Sequence, residues 1–445
     1  MKKQFLFAVA ATMLTACVNT DTLRDYNVPQ GSENDGSILF TSFTDKVTKG
    51  PAENSDASYT WTFFDHQESF MVWGRKAGQA THEIFGGTTV TVAHVTTPNE
   101  GYTYTYSPAR FWDKNATKYH FYAAAPADNS WTFNGGSIQD DNTLDKGYFT
   151  TSATLNGVNL KHKDNLTNNN TRASLYDKFK GIPTSNAANA PTDIDKLIAA
   201  PCDVLNTYYN KAVPNAVNLN FIHILSKLNV TISTSLFVAN HTYDVDLLAF
   251  EIYNIPNAGN FNESTAIPND KKIIRWTRDG TTTTSILTGI DNTNKVDVAS
   301  PTAANETGDK AYIVESLIMP QSIAYERVAL DGKNHDAISG VDAYTAVSGS
   351  SQPYFRISYS IDGDVFTQYY NLAAAFLGYT NNSQKNSNGD YINLTDGDAT
   401  TFPFYEGWQN TLNIIINPAA ITFTADVATW STEQNYNYEI EKGNQ

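Results

Sequence analysis

The sequence predicts an all-β protein, and three observations carry that reading. Aromatic residues are abundant, with 25 Tyr, 23 Phe and 7 Trp, and aromatic and β-branched side chains favour the pleated surface of a sheet. Charged residues make up only 17% of the chain, and no long amphipathic Lys/Glu stretch of the kind that forms surface helices is present. Short apolar alternations recur between Gly-, Asn- and Thr-rich loops, the spacing expected of sandwiches rather than of parallel α/β units. At 445 residues the chain has the length of two domains.

Residues 1–17 read as an address. Lys2 and Lys3 form a charged start, and Phe5 to Thr12 form an apolar core too short for a permanent membrane span. Leu14-Thr15-Ala16-Cys17 resembles a bacterial lipobox. That resemblance implies that the Cys17 thiol takes a diacylglycerol and becomes the first residue of a palmitate-bearing lipoprotein. Residues 18–36 are polar and aperiodic and read as a tether. Cys17 and Cys202 are the two cysteines; with Cys17 lipidated, Cys202 has no partner within the chain.

The first strand expected is Ser37 to Phe43, followed by a polar loop that holds Lys46 and Lys49-Gly50-Pro51. Further strands are expected at Tyr59 to Phe64, Phe70 to Trp73, Val90 to Val95 and Tyr102 to Tyr106. Another runs from Tyr119 to Ala125, where Pro126 stops it. Weak strands lie between Ala127 and Asn170. Ala188 to Ala200 reads as a short helix, with Thr192 capping and Asp195 three residues on. Pro214-Asn215 marks a boundary between a first domain, 37–214, and a second, 215–445. Strands then follow at Val217 to Phe221, Ile222 to Ser233, Val245 to Tyr253, Ile273 to Trp276, Ala311 to Pro320, Phe355 to Ile361 and Val365 to Leu372.

Near the C-terminus Leu412, Ile414 and Ile416 share one face. Asn417-Pro418 breaks the run, and Ile421, Phe423, Ala425 and Val427 then alternate with Thr422, Thr424 and Asp426. This is the period of a half-buried strand. Trp430 falls off that alternation and reaches the same face only through a bulge or turn at Ala428-Thr429. In the tail Tyr436, Tyr438 and Ile440 alternate with polar residues. A terminal strand with an apolar face is a liability unless another sheet takes it.

The wording of these segments resembles the fimbrillin family, the pilins of type V fimbriae in Bacteroidetes-type bacteria. The resemblance rests on Tyr106-Ser107-Pro108 with Trp112, on Tyr119-x-Phe121-Tyr122-Ala123 with Pro126, and on Pro201-Cys202-Asp203-Val204-Leu205. It continues through Phe221-x-His223-x-Leu225-Ser226-Lys227-Leu228-x-Val230 and Leu317-Ile318-Met319-Pro320-Gln321. Ile421-x-Phe423-x-Ala425-x-Val427-x-x-Trp430 closes it, so the match runs in order over roughly residues 37 to 430. The family usually has an arginine where this chain has Lys49, and Thr277 to Ala311 matches no pattern of the family.

The resemblance implies two transthyretin-like β-sandwich domains in tandem and a structural subunit of a cell-surface fimbrium that supports adhesion. It also implies export to the outer membrane as a lipoprotein, proteolytic processing at Lys49 so that the subunit begins at Gly50, and polymerisation with other fimbrial subunits by donor-strand exchange. Lys46-Val47 is the alternative bond. The candidate donor residues are Ile421, Phe423, Val427, Tyr436, Tyr438 and Ile440. Stalk, tip and anchor roles are all compatible with the pattern. A second class of function is a monomeric surface lipoprotein that binds glycans through exposed Tyr and Trp.

Charge and motifs narrow the remaining classes. A net charge of −16 offers no basic face for a nucleic acid. No H-E-x-x-H, G-x-S-x-G or C-x-x-C occurs, so no catalytic residue, metal ligand or cofactor site is expected. His120 and His223 fall within strands and read as structural. Gly86-Gly87 reads as a turn without the lysine spacing of a phosphate loop. Asn386, Asn388 and Asp390, with Asp396 and Asp398, have calcium-like spacing. Tyr391 occupies the position where an EF-hand loop needs glycine, so a solvated turn is expected there.

Overall fold

The computed structural model describes residues 37–44, 69–76, 83–95, 101–113, 118–135, 147–157, 159, 195–205, 216–236, 241–265, 267–268, 270–280, 282–298, 310–324, 327–330, 333–336, 352–377, 401–416 and 421–429. The expected strand at Tyr59 to Phe64, the Pro214-Asn215 boundary and the 386–398 loop lie outside these residues. The chain begins with β1 (Phe40–Thr44), β2 (Ser69–Lys76), β3 (Glu83–Val95), β4 (Gly101–Thr105), β5 (Lys118–Ala125), β6 (Thr132–Asn134), β7 (Tyr148–Thr154) and β8 (Leu197–Leu205). It continues with β9 (Val217–His223), β10 (Ser226–Thr234), β11 (Val245–Pro256), β12 (Ala258–Asn262), β13 (Trp276–Arg278), β14 (Thr283–Leu287), β15 (Val296–Asp297) and β16 (Ala311–Ile318). The rest is β17 (Gln321–Ala324), β18 (Arg327–Leu330), β19 (Lys333–Asp336), β20 (Tyr354–Ile361), β21 (Asp364–Asn371), the helix α1 (Leu372–Phe376), β22 (Thr401–Phe404), β23 (Trp408–Ile416) and β24 (Ile421–Thr429). The all-β expectation is met.

Seven strands form one sheet in the order β1-β9-β8-β5-β2-β3-β4. Its two ends come together. Phe40 of β1 stands 5.3 Å from Phe85 of β3 and 5.9 Å from Phe121 of β5, both edge-on. A twisted sheet whose end strands touch has coiled around its own core. Phe70 and Val72 from β2, Phe121 and Ala123 from β5 and Leu219 and Phe221 from β9 fill that core. The opposite face carries Trp73, Tyr122 and Ile198, which pack with Phe149, Phe261 and Trp276 of a second sheet, β13-β12-β7-β6. The central strand β5 is therefore covered on both sides, and its run Tyr119 to Ala125 is buried throughout.

The third core lies between the sheets β16-β10-β23-β24 and β14-β11-β20-β21. Val230, Ile232, Leu412 and Ile414 from one meet Phe250, Ile252, Phe355 and Ile357 from the other, the arrangement of a β-sandwich. The pattern at β23 follows the expected face, because Leu412, Ile414 and Ile416 are all buried. The helix α1 is wholly buried. Its N-cap is Asn371, whose side-chain oxygen accepts from the Ala374 amide at 2.9 Å, the usual way to satisfy a first-turn donor.

Four expectations are corrected. Residues 197–200 belong to a strand, β8, and not to a helix. β8 runs between β5 and β9, and the cores on the two sides of the sheet bury Leu197 and Ala199 on one face and Ile198 on the other. Such a strand loses its alternation and imitates a helix of small apolar residues. Asp195 Oδ2 lies 2.5 Å from His223 Nδ1. The apolar run from Ile222 to Ser233 is not one strand. β9 ends at His223, Ile224 and Leu225 are buried in the core between sheets, and β10 begins at Ser226 in another sheet.

Gly86-Gly87 lies inside β3 and not in a turn. The β2–β3 register slips between Val72 and Trp73, and Gly87 has φ +82°, the mark of a glycine bulge. A Cβ there would come within 3.1 Å of the Trp73 ring. Finally, Ile273 to Ile274 is not strand; β13 starts at Trp276. The Arg275 amide before it donates to the Glu406 side chain, and the Arg275 carbonyl accepts from the Asn262 amide at 3.2 Å.

Three pairings cross the expected boundary at Pro214-Asn215. β9 follows the expected boundary but pairs with β1 in parallel and β8 antiparallel. β7 pairs with β12. Leu219 and Phe221 bring β9 into the first core, since Phe221 meets Phe70 at 5.3 Å.

Candidate functional site

The first strand occupies a slot of its own. Alternation along Ser37-Ile38-Leu39-Phe40 turns Ile38 and Phe40 inward, at 0% and 3% exposure, and leaves Leu39 outward at 40%. One side of the slot is β9. Phe40 pairs with Val217 and Thr44 with Phe221 in parallel register, and the Val217 amide donates to Leu39 O at 2.7 Å. The other side is the segment after β4. Ser37 forms an antiparallel bridge with Phe111, the Ile38 amide donates to Arg110 O at 2.8 Å, and the Tyr106 hydroxyl donates to Ile38 O at 2.6 Å. The floor is aromatic. Phe85 and Tyr106 both stand edge-on to Phe40, Tyr106 at 5.7 Å, and Phe121 lies beneath.

β1 therefore closes the coiled sheet between its two ends. Without it, the edge of β9 and the 106–111 segment would border a groove with one pocket for Ile38 and one for Phe40. Such a groove has a stated chemistry. It offers backbone N–H and C=O groups along one side and wants apolar side chains at alternate positions. Trp112 and Tyr119 brace the far end, with ring centroids 4.8 Å apart at 89°. Both oxygen bonds of Tyr119 go to the Asp113 backbone, and burial raises its pKa, so it is neutral there. Asp113 also pairs with Lys76 at 2.6 Å.

The expected donor residues divide in two. Ile421, Phe423 and Val427 lie on β24, the edge strand beside β23, in antiparallel register from Ile416↔Ile421 to Trp408↔Thr429. Ile421 and Phe423 are buried. The Phe423 ring stands 4.8 Å from Tyr370 and 5.8 Å from Phe355. Val427 is 37% exposed. Tyr436, Tyr438 and Ile440 lie outside the described residues, as do Cys17, Lys46, Lys49, Gly50 and Trp430. β9, one wall of the slot, begins at Val217, just after the expected boundary at Pro214-Asn215, and Tyr106 on the other wall belongs to the expected run Tyr102, Tyr104, Tyr106.

Among the described residues no group of three or more His, Cys, Asp or Glu is placed to hold a metal ion. His120 is buried in β5. On the outer face of the β11-β20-β21 sheet, Tyr253 and Tyr354 stack on one another at 5.1 Å. Tyr253 donates to Glu251, which also accepts from Arg356. Burial first and that bond second push Tyr253 up to about 12.

No protein-family model matches the chain, and no curated protein matches it. Among solved structures, it is similar to a fimbrial protein from Bacteroides vulgatus, at 12% identity and a TM-score of 0.41, covering 89% of this chain and 99% of that one. It is similar to a candidate cell adhesion protein from Bacteroides uniformis, at 14% identity and a TM-score of 0.39, covering 90% and 100%. It is also similar to the C-terminally truncated tip fimbrial protein Mfa3 from Porphyromonas gingivalis, at 12% identity and a TM-score of 0.29, covering 83% and 96%.

Proposed function

We propose that this chain is a structural subunit of a cell-surface fimbrium. In this reading it is exported as a lipoprotein on Cys17, anchored in the outer membrane, and processed after Lys49. The observation that carries the proposal is the placement of the first strand, the end strand of its sheet, which lies in a slot between β9 and the 106–111 segment with Ile38 and Phe40 in the core. A cut in the polar loop after it, at Lys49-Gly50 or Lys46-Val47, separates β1 from the rest of the chain. Its departure uncovers about 1.5–3 kcal/mol for each of two large side chains, about 3–6 kcal/mol in all. A strand from a second copy that fills the same pockets regains that energy.

The proposed donor is the tail, through Tyr436, Tyr438 and Ile440, together with β24. Three tail side chains bring roughly 5–9 kcal/mol against an association cost of ~4–15 kcal/mol. The tail alone is therefore marginal, which is the reason to include β24. Stalk subunits need both a removable first strand and a usable last one, and this chain supplies candidates for both. Its partners are then other copies or other fimbrial subunits.

Two variants test the reading. Deletion of residues 431–445 is expected to leave a folded monomer whose polymers dissociate in mild SDS. Lys46→Gln/Lys49→Gln is expected to block processing and polymerisation together. Filaments as SDS-resistant as wild type from the deletion would remove the tail as donor and favour a tip or anchor role. Normal processing of the double lysine variant would move the site elsewhere.

A further inference from the structure

The chain that leaves β7 passes along the end strands of both sheets that enclose the third core. Leu155 is tied first. Its amide donates to Asn257 O at 2.8 Å, and its carbonyl accepts from Asn257 Nδ2 at 2.8 Å. Asn156 O then accepts from the Thr284 hydroxyl of β14 at 2.9 Å. Gly157 follows with φ +72°, and a Cβ there would stand 2.5 Å from Ser285 O, so glycine is what lets the chain lie this close to β14. Asn159 reaches β16. Its Nδ2 donates to Ile313 O at 3.1 Å, and its Oδ1 accepts from the Glu315 amide at 3.2 Å. β14 and β16 are each the end strand of their sheet.

The Asn159 carboxamide thereby does for β16 what a peptide group of a further strand would do. An end strand presents a row of backbone donors and acceptors that another chain can take. A strand added beside Val314 would need Ile313 O and the Glu315 amide, and one side chain holds both. The composition of β16 makes that edge worth holding. Tyr312, Ile313, Val314 and Ile318 are aromatic and β-branched types that pair readily, and Tyr312 is 38% exposed. The charge on the strand is balanced within the chain, because Glu315 pairs with Lys227 of β10. Two β16 edges related by a two-fold axis would therefore meet antiparallel without a bare carboxylate between them. We propose that Asn159 is an edge guard that keeps β16 from pairing with β16 of a second copy, and that this edge becomes a self-association surface when the side chain is withdrawn.

The guard is independent of the fimbrial reading. It concerns the unprocessed chain with β1 in its slot, and its test uses neither processing nor filaments. Asn159→Ala removes both bonds to β16. In sedimentation velocity over a wide range of concentration, this variant is expected to form a dimer whose share grows with concentration, well beyond any association of wild type. Adding Tyr312→Lys is expected to return it to monomer, because a lysine on an open edge opposes a second strand. An Asn159→Ala chain that associates no more than wild type overturns the proposal. So does a dimer that survives Tyr312→Lys, since its interface then lies elsewhere.

Hydrogen exchange provides a second readout, taken at concentrations where the variant is monomeric. The Glu315 amide should exchange several-fold faster in Asn159→Ala than in wild type. The amides that join β10 to β16 should stay as protected as in wild type, which also shows that the sandwich is folded. Equal exchange of the Glu315 amide in the two proteins would show that Asn159 does not hold the edge.

Discussion

Phe40 shows what one side chain decides here. Its ring meets Phe85, Tyr106 and Phe121, and it is buried. Truncating a buried phenylalanine costs about 3–5 kcal/mol, the lost transfer energy plus the cavity. Phe40→Ala is therefore expected to lower the stability of the unprocessed chain by that amount in denaturant titration. After proteolytic removal of the N-terminal segment, mutant and wild type are identical in sequence and should melt together. A difference that survives processing would mean that β1 stays bound, and the slot would not be vacated. The alternation that identifies Ile38 and Phe40 as core residues was legible in four residues of sequence. What they touch was not, because Phe85 and Phe121 lie far along the chain and meet them only when the sheet coils.

At the scale of elements, legibility followed exposure. Strands with one wet face, such as β24, kept a period of two and were readable from Ile421 to Val427. Strands covered on both faces lost it. β8 reads as helix because Leu197 to Ala199 are all buried, and the β9–β10 crossing at Ile224-Leu225 reads as one strand because the crossing itself is core. The β3 bulge was hidden for a different reason: a glycine pair has the same letters in a turn and in a bulge. β24 also carries a prediction. If it moves into a neighbouring copy, Phe423 must leave Phe355 and Tyr370, and that release slows assembly. Phe423→Ala should cost the monomer about 3–5 kcal/mol. It should nevertheless shorten the lag before polymers form after processing, and the polymers should dissociate at lower SDS. An unchanged lag would show that β24 stays beside β23 and that the tail crosses alone.

The described residues pack around apolar cores, and stability responds to the protonation of groups held in or against them. Glu263 and Glu406 both have carboxyls raised above 4.5 by burial, Glu263 to about 7. Below 4.5 the unfolded and folded forms both hold these protons, and the contribution of the two groups is at its most favourable. As pH rises from 4.5 toward 7, the unfolded chain gives up the Glu263 proton while the folded chain keeps it. The unfolded state then binds fewer protons, so folding stability falls with pH through that window. One group costs about 1.4 kcal/mol per pH unit, or at most about 3.5 kcal/mol over the window for Glu263. Above 7 both states have lost the proton and the slope from Glu263 ends. Asp362 acts in the opposite sense, because the Asp244 amide and then His241 lower its pKa, and its effect lies at more acid pH, below 3.8. The buried amine of Lys196 is lowered from 10.5 by burial and acts at alkaline pH. Between pH 5 and 7 Glu263 therefore sets the slope. Thermal melts at constant ionic strength should show the midpoint falling steadily from pH 5 to pH 7. Glu263→Gln should remove most of that fall while matching wild type near pH 5. A wild-type midpoint that rises across the same range would mean that Glu263 is ionised in the fold, with Arg275 serving both carboxylates.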